Sequence, residues 1–135
     1  MKLLDTNIVI YAIGKEHPCR DACQKVMQQA GDKPEAYGID VELAQELLDV
    51  YGRRGDIARG ITAVDEAFAL FPDPFPVTRR EVEQASELLT FHAHLSPRDA
   101  IHAAVVTTYG LEGIVSADRA FEHIPGVKCF DPLKL

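Results

Sequence analysis

The sequence has neither a long apolar run nor a cysteine pattern that would form a disulfide framework. Its first apolar run ends at Asp5, and no stretch approaches the roughly 18 residues that a membrane-spanning helix needs. The cysteines are odd in number and follow no secretion signal, which disfavours a disulfide-stapled scaffold; they are Cys19, Cys23 and Cys129. We therefore expect a soluble cytoplasmic protein with no membrane contact.

Positive charge is also scarce, with 14 lysines and arginines against 21 acidic residues and a net charge of −7. This balance is unfavourable for nucleic-acid binding, because phosphate contacts normally need a basic face. The objection weakens if clustered acids bind divalent cations, which reverse the local electrostatics. A glycine-rich phosphate loop is absent, which disfavours nucleotide hydrolysis of the P-loop kind.

Short apolar segments alternate with segments of helical periodicity along the whole chain. The predicted strands are 2–4, 36–39, 75–77, 113–116 and 127–130, and the predicted helices are 8–13, 18–30, 41–54, 57–70, 79–92 and 97–109. Asp40 and Thr78 are expected N-caps of two of these helices. The alternation predicts a single α/β domain over residues 1–135, with a mostly parallel sheet.

Four acids lie where this sheet would place a site, beyond the carboxyl ends of its strands. Asp5 follows the first strand, Glu46 lies early in the third helix, Asp99 begins the sixth helix, and Asp118 follows the fourth strand. Several carboxylates facing one cleft hold Mg²⁺ or Mn²⁺, which prefer oxygen ligands. Such ions activate water and stabilise the leaving oxygen of a phosphodiester.

Each acid alone also has a simpler explanation. Asp5 and Asp118 are also placed as first-turn or capping acids, and Asp99 stands three residues after Ser96, the spacing of a capping box. Spacing does not distinguish Glu46 from its acidic neighbours Asp40, Glu42 and Asp49. The joint placement of the four acids carries the prediction of a metal site.

Four segments that contain these acids resemble the motifs of PIN domains, the fold of VapC-type toxins. They are Leu3–Ala12 (LLDTNIVIYA), Leu43–Tyr51 (LAQELLDVY), Leu95–Ala104 (LSPRDAIHAA) and Ile114–Phe121 (IVSADRAF). Each motif alone is weak, but all four occur in order and span nearly the whole chain. The resemblance implies a three-layer α/β/α sandwich.

The resemblance also implies Mg²⁺- or Mn²⁺-dependent hydrolysis of RNA phosphodiester bonds. Asp5, Glu46, Asp99 and Asp118 would be the metal-binding acids, and Thr6, Asn7 and Ser116 would position a water, an ion or the acids. Family members often form homodimers, and toxin members are held inactive by a cognate antitoxin. One departure is Asp40, which stands where the family often has Ser or Thr.

Other residues and other functions leave alternatives open. Arg98 and Arg119 flank two of the acids and would either hold substrate phosphates or balance charge. His102 is interpreted as a helix-packing histidine. A catalytically degenerate PIN module that binds RNA or protein is the alternative function. A haloacid-dehalogenase-type phosphatase is disfavoured because Asn7 replaces its second Asp, and a receiver domain because its acid pair is missing.

Overall fold

A parallel sheet forms the centre of the molecule, as the sequence predicts, and it has four strands rather than the predicted five. The computed structural model describes all 135 residues. Its strands are β1 (Lys2–Leu4), β2 (Tyr37–Gly38), β3 (Gly113–Val115) and β4 (Cys129–Phe130), in the order β2-β1-β3-β4. In the register, Leu3 pairs with Gly38 on one side and with Ile114 on the other. The central strands β1 and β3 are therefore far apart in sequence but adjacent in space.

Six helices connect and cover these strands. They are α1 (Thr6–Ile13), α2 (Arg20–Asp32), α3 (Val41–Arg53), α4 (Ile57–Leu70), α5 (Arg79–Phe91) and α6 (Pro97–Thr108), and a 3₁₀ turn spans Pro132–Lys134. The helix bounds agree with the sequence prediction within one or two residues, the usual uncertainty of helix ends. None of the helices is long and apolar enough to cross a membrane.

Two separate hydrophobic cores lie on the two faces of the sheet. Leu4 and Val115 belong to the core that α1 to α4 cover, whereas Leu3 and Ile114 belong to the core of α5 and α6. Successive strand residues point to opposite faces. The alternation within β1 and β3 thus produces the predicted three layers.

The predicted strand at 75–77 is wrong. Phe75 forms only an isolated parallel bridge with Asp40, in which its N–H donates to the Ile39 carbonyl at 2.9 Å. The hydrogen-bond ladder ends there because the neighbouring segment leaves the sheet: Asp40 is the N-cap of α3, which begins at Val41. This bridge nevertheless fixes the chain directly after β2, where α3 begins.

Gly113 allows β3 and the chain before β4 to approach closely. Its φ is +154°, and a Cβ at this position would lie 2.1 Å from the Lys128 carbonyl oxygen. No other residue type fits there without moving the backbone. The glycine therefore sets the spacing of the strand whose carboxyl end reaches Ser116.

Candidate metal-binding site

The site begins at the carboxyl ends of β1 and β3. The backbone N–H of Asp5 donates to the Val115 carbonyl at 3.0 Å, and that of Ser116 donates to the Phe130 carbonyl at 3.1 Å. These bonds continue the sheet by one residue and place Asp5 beside Ser116. The Ser116 hydroxyl then donates to Asp5 Oδ2 at 2.6 Å. Residues 111 positions apart in sequence thus form one contact.

The Asp5 carboxylate is buried and held on both oxygens. Oδ1 accepts the Thr6 N–H at 2.7 Å, and the side chain caps α1. Burial raises the pKa of Asp5 to about 6; the charge of His102 and the Ser116 hydrogen bond oppose this rise, whereas Asp99 and Glu46 add to it. An ionised Asp5 is therefore costly without a cation, and a bound cation would remove that cost.

Asn7 and Ser116 fix the loop that carries Asp118. The Ser116 oxygen accepts from Asn7 Nδ2 at 3.2 Å and from the Asp118 N–H at 3.0 Å. Asn7 Oδ1 accepts the Ala117 N–H at 3.2 Å. Asn7 and Ser116, two of the three predicted supporting residues, therefore connect α1 to the end of β3. Asp118 itself is exposed, so its carboxylate is available to a ligand.

Asp99 lies in the first turn of α6, where Ser96 and Pro97 begin the helix. Its N–H donates to Ser96 Oγ at 3.1 Å, which agrees with the expected cap. Burial raises the pKa of Asp99; His102 and Ser96 lower it, whereas the charges of Glu46 and Asp118 raise it further. The four predicted acids thus influence one another electrostatically.

The structure separates Glu46 from its acidic neighbours on α3. Asp49 binds Arg98 at 2.8 Å, and Glu42 lies 3.7 Å from the same guanidinium. Asp40 is fully buried, and it caps α3 by accepting the Leu43 N–H at 3.0 Å. Glu46 alone has a buried carboxylate oxygen, Oε1, with no hydrogen-bond partner. Buried polar atoms are rarely left unpaired, so this oxygen is a candidate ligand atom.

His102 contributes more to this region than a packing histidine would. It is completely buried, as packing requires, but its Nδ1–H donates to Asp40 Oδ2 at 2.6 Å. On the other edge of the ring, Nε2 lies 3.5 Å from Glu46 Oε1 and 3.9 Å from Asp5 Oδ1. Burial lowers the pKa of His102, but the carboxylates of Asp40, Glu46 and Asp5 together outweigh burial, so the pKa lies well above its ordinary value. In the sequence, the only sign of this contact was that Asp40 stands where the family often has Ser or Thr.

The two candidate phosphate-binding arginines have different surroundings. Arg98 is half-buried, and its guanidinium forms ion pairs with Asp49 and Glu42, so it balances negative charge on α3. Arg119 is exposed and has no carboxylate within 4.0 Å. Of the two alternatives left open by the sequence, phosphate binding therefore suits Arg119 and charge balance suits Arg98.

The chemistry of the donors fits a hard divalent cation. Asp5, Glu46, Asp99 and Asp118 offer only carboxylate oxygens, the ligands that Mg²⁺ and Mn²⁺ prefer. No three histidine, cysteine or acidic side chains are already close enough to form a finished metal cage. The unpaired Glu46 oxygen and the costly buried charge of Asp5 both favour cation binding.

Comparison with known proteins places this arrangement in a family. The sequence profile of the PIN domain matches residues 2–127. The chain belongs to the PIN-domain family. Ribonuclease VapC13 from Mycobacterium tuberculosis is 33% identical to this PIN domain over 131 residues, which cover 95% of this chain and 98% of the relative. The resemblance of the four sequence motifs is thereby confirmed at the level of the family.

Several solved structures share the fold. FitAcB from Neisseria gonorrhoeae superposes with a TM-score of 0.78 at 14% identity, with both chains fully covered. VapBC2 from Rickettsia felis, which was crystallised with a DNA fragment from its promoter, superposes with a TM-score of 0.73 at 17% identity, with 96% of each chain covered. At such identities the likeness concerns the fold, and the parallel sheet and its helical layers agree with it.

Proposed function

We propose that this PIN domain is a ribonuclease that hydrolyses RNA phosphodiester bonds with Mg²⁺ or Mn²⁺ held by Asp5, Glu46, Asp99 and Asp118. Two buried carboxylate oxygens that face the same His102 nitrogen carry the proposal: Glu46 Oε1 lies 3.5 Å from Nε2, and Asp5 Oδ1 lies 3.9 Å from it. The names of relatives such as Ribonuclease VapC13 support the same reaction. None of the four acids of the family pattern is missing from the sequence, which favours an active enzyme over the degenerate module.

When bound, the cation would lower the pKa of water and neutralise charge on the phosphodiester. The protein's own part is preorganisation. Ser116 and the Thr6 N–H hold the Asp5 carboxylate in one orientation, and Asn7 holds the loop of Asp118. Fixed ligands lose little entropy when the substrate arrives. Arg119, which is exposed next to Asp118, supplies a positive charge for a substrate phosphate.

The same proposal includes a role as the toxin of a toxin–antitoxin pair that acts as a homodimer and is held inactive by a cognate antitoxin. One relative is named a VapC ribonuclease, and one solved structure of the same fold is a toxin–antitoxin complex from Klebsiella pneumoniae. An acidic chain with few unpaired lysine and arginine side chains gains its affinity for RNA mainly through its bound metal ion. Induction in cells should therefore stop growth only while the four acids are intact.

The direct test is cleavage of a labelled structured RNA by the purified protein with Mg²⁺, with Mn²⁺ and with EDTA. The wild type and Asp5→Asn are compared with Asp65→Asn, which removes an exposed carboxylate on α4. We expect metal-dependent cleavage by the wild type and Asp65→Asn but not by Asp5→Asn. If the wild type cleaves no RNA and binds no Mn²⁺ in calorimetry, the degenerate module is the better explanation.

A further inference from the structure

The contact between Asp40 and His102 joins two residues that are both fully buried and 62 positions apart in sequence. Taking such groups out of water is costly, and apolar residues of similar volume would often be at least as stable. Capping α3 requires only one acceptor, which Ser or Thr would also supply. The second carboxylate oxygen of Asp40 is needed only for the imidazole, at 2.6 Å.

The opposite edge of the imidazole faces the candidate metal ligands. Nε2 lies 3.5 Å from Glu46 Oε1, 3.5 Å from Thr6 Oγ1 and 3.9 Å from Asp5 Oδ1. His102 thus lies between the buried Asp40 on one side and two carboxylates on the other: Asp5, which follows β1, and Glu46, which lies on α3. Because Asp40 fixes the ring through Nδ1, the direction of Nε2 is also fixed.

We propose that Asp40 and His102 form a positioning pair, in which Asp40 orients the imidazole and the imidazole sets the places of Glu46 and Asp5 for the cation. This inference rests on the proposed function. Residues behind metal ligands act in this way in other proteins, and their loss typically weakens metal binding by about 10- to 100-fold. Glu46 depends on the pair most, because its Oε1 has no other polar partner within the protein.

The test separates positioning from stability with three variants of the pair. His102→Leu leaves the Asp40 carboxylate buried and alone, so we expect a lower urea midpoint of unfolding. The double variant Asp40→Ser with His102→Leu keeps the cap of α3 and removes both buried partners, so its midpoint should return toward that of the wild type. His102→Gln brings an amide nitrogen toward the place of Nε2 and should retain part of the function.

Binding of Mn²⁺, measured by the electron paramagnetic resonance of the free ion, is the decisive measurement. We expect His102→Leu and the double variant to bind Mn²⁺ about 10- to 100-fold more weakly than the wild type. The kcat for RNA cleavage should fall as well, with little change in KM. Glu81→Ala is the control: Glu81 is also buried, but it accepts hydrogen bonds from Thr78 at the start of α5, so its loss should lower the midpoint and leave Mn²⁺ affinity unchanged.

Four results would overturn the inference, and they are distinguishable from one another. Recovery of both Mn²⁺ affinity and kcat in the double variant would show that the pair serves stability alone. Coupling between bound Mn²⁺ and a histidine nitrogen, seen in pulsed resonance spectra, would make His102 a ligand rather than a positioning residue. A wild type that binds no Mn²⁺ would overturn the proposed function together with this inference, whereas unchanged variants of an active wild type would overturn this inference alone.

Discussion

Asp5→Asn should make the metal-free protein more stable at neutral pH, although it removes a proposed ligand. The pKa of Asp5 is about 6, against an ordinary value of 3.8, because burial penalises its charge. The folded protein therefore binds this proton more tightly than the unfolded chain does. The resulting stability is fully present below about pH 4 and is lost as the pH rises through 6. Since each pKa unit corresponds to about 1.4 kcal/mol, ionised Asp5 costs the fold about 3 kcal/mol.

Asparagine avoids that cost but is a poorer partner for Ser116. The hydroxyl that donates to Asp5 Oδ2 at 2.6 Å loses an acceptor, which costs about 1 kcal/mol. We expect Asp5→Asn to be more stable than the wild type by about 2 kcal/mol at pH 7.5 and less stable by about 1 kcal/mol near pH 4. Urea denaturation in EDTA, repeated across this pH range, measures the difference at each pH.

A divalent cation should reverse the order of stability at neutral pH. At a Mn²⁺ concentration 100 times its Kd, the wild type gains about 2.7 kcal/mol, whereas a variant that binds the ion about 100-fold more weakly gains only about 0.4 kcal/mol, which is too little to keep its lead of about 2 kcal/mol. Asp65→Asn should match the wild type throughout, because the Asp65 side chain is exposed and has no polar partner. The reasoning fails if Asp5→Asn is the less stable protein at pH 7.5 in EDTA, or if the difference does not change with pH.

Three other perturbations test separate parts of the structure. Gly113→Ala should lower the free energy of unfolding by about 3 kcal/mol or more, since its Cβ would lie 2.1 Å from the Lys128 oxygen; a wild-type urea midpoint would contradict this. Arg119→Ala should raise the KM for RNA several-fold at unchanged Mn²⁺ affinity, whereas Arg98→Ala should leave KM unchanged; equal effects would refute the distinction. Cys23 is fully buried with a pKa raised to about 12 by burial, so iodoacetamide at pH 8 should label it only in urea, as followed by mass spectrometry.

Local signals predicted the helices and the strand ends well. Asp40 and Ser96 cap α3 and α6 as their sequence positions indicate, because a cap depends on contacts only three residues away. Asp5 lies at the carboxyl end of the sheet because β1 ends at Leu4. The same local logic failed at 75–77, where apolar residues resemble a strand but the neighbouring chain turns into α3 at Val41 and offers no further strand to pair with.

Contacts between distant segments were beyond the sequence pattern. Spacing left Glu46 equivalent to Asp49, and only the packing of α6 beside α3, which brings Arg98 to Asp49, separates them. His102 lies on the apolar face of α6 and therefore resembles a packing residue. Its polar role depends on Asp40, which no helical or strand periodicity relates to it.

The pairing of β1 with β3 also has a consequence for the protein during its own synthesis. A nascent chain that has left the ribosome only as far as α5 already contains Asp5 and Glu46, but not Ser116, whose hydroxyl orients Asp5. The central pairing of the sheet, Leu3 with Ile114, cannot form before residue 114 emerges. Contacts of such long sequence separation form late. The site therefore forms only when synthesis of the chain is nearly complete. Most truncated products of the gene would lack the complete site.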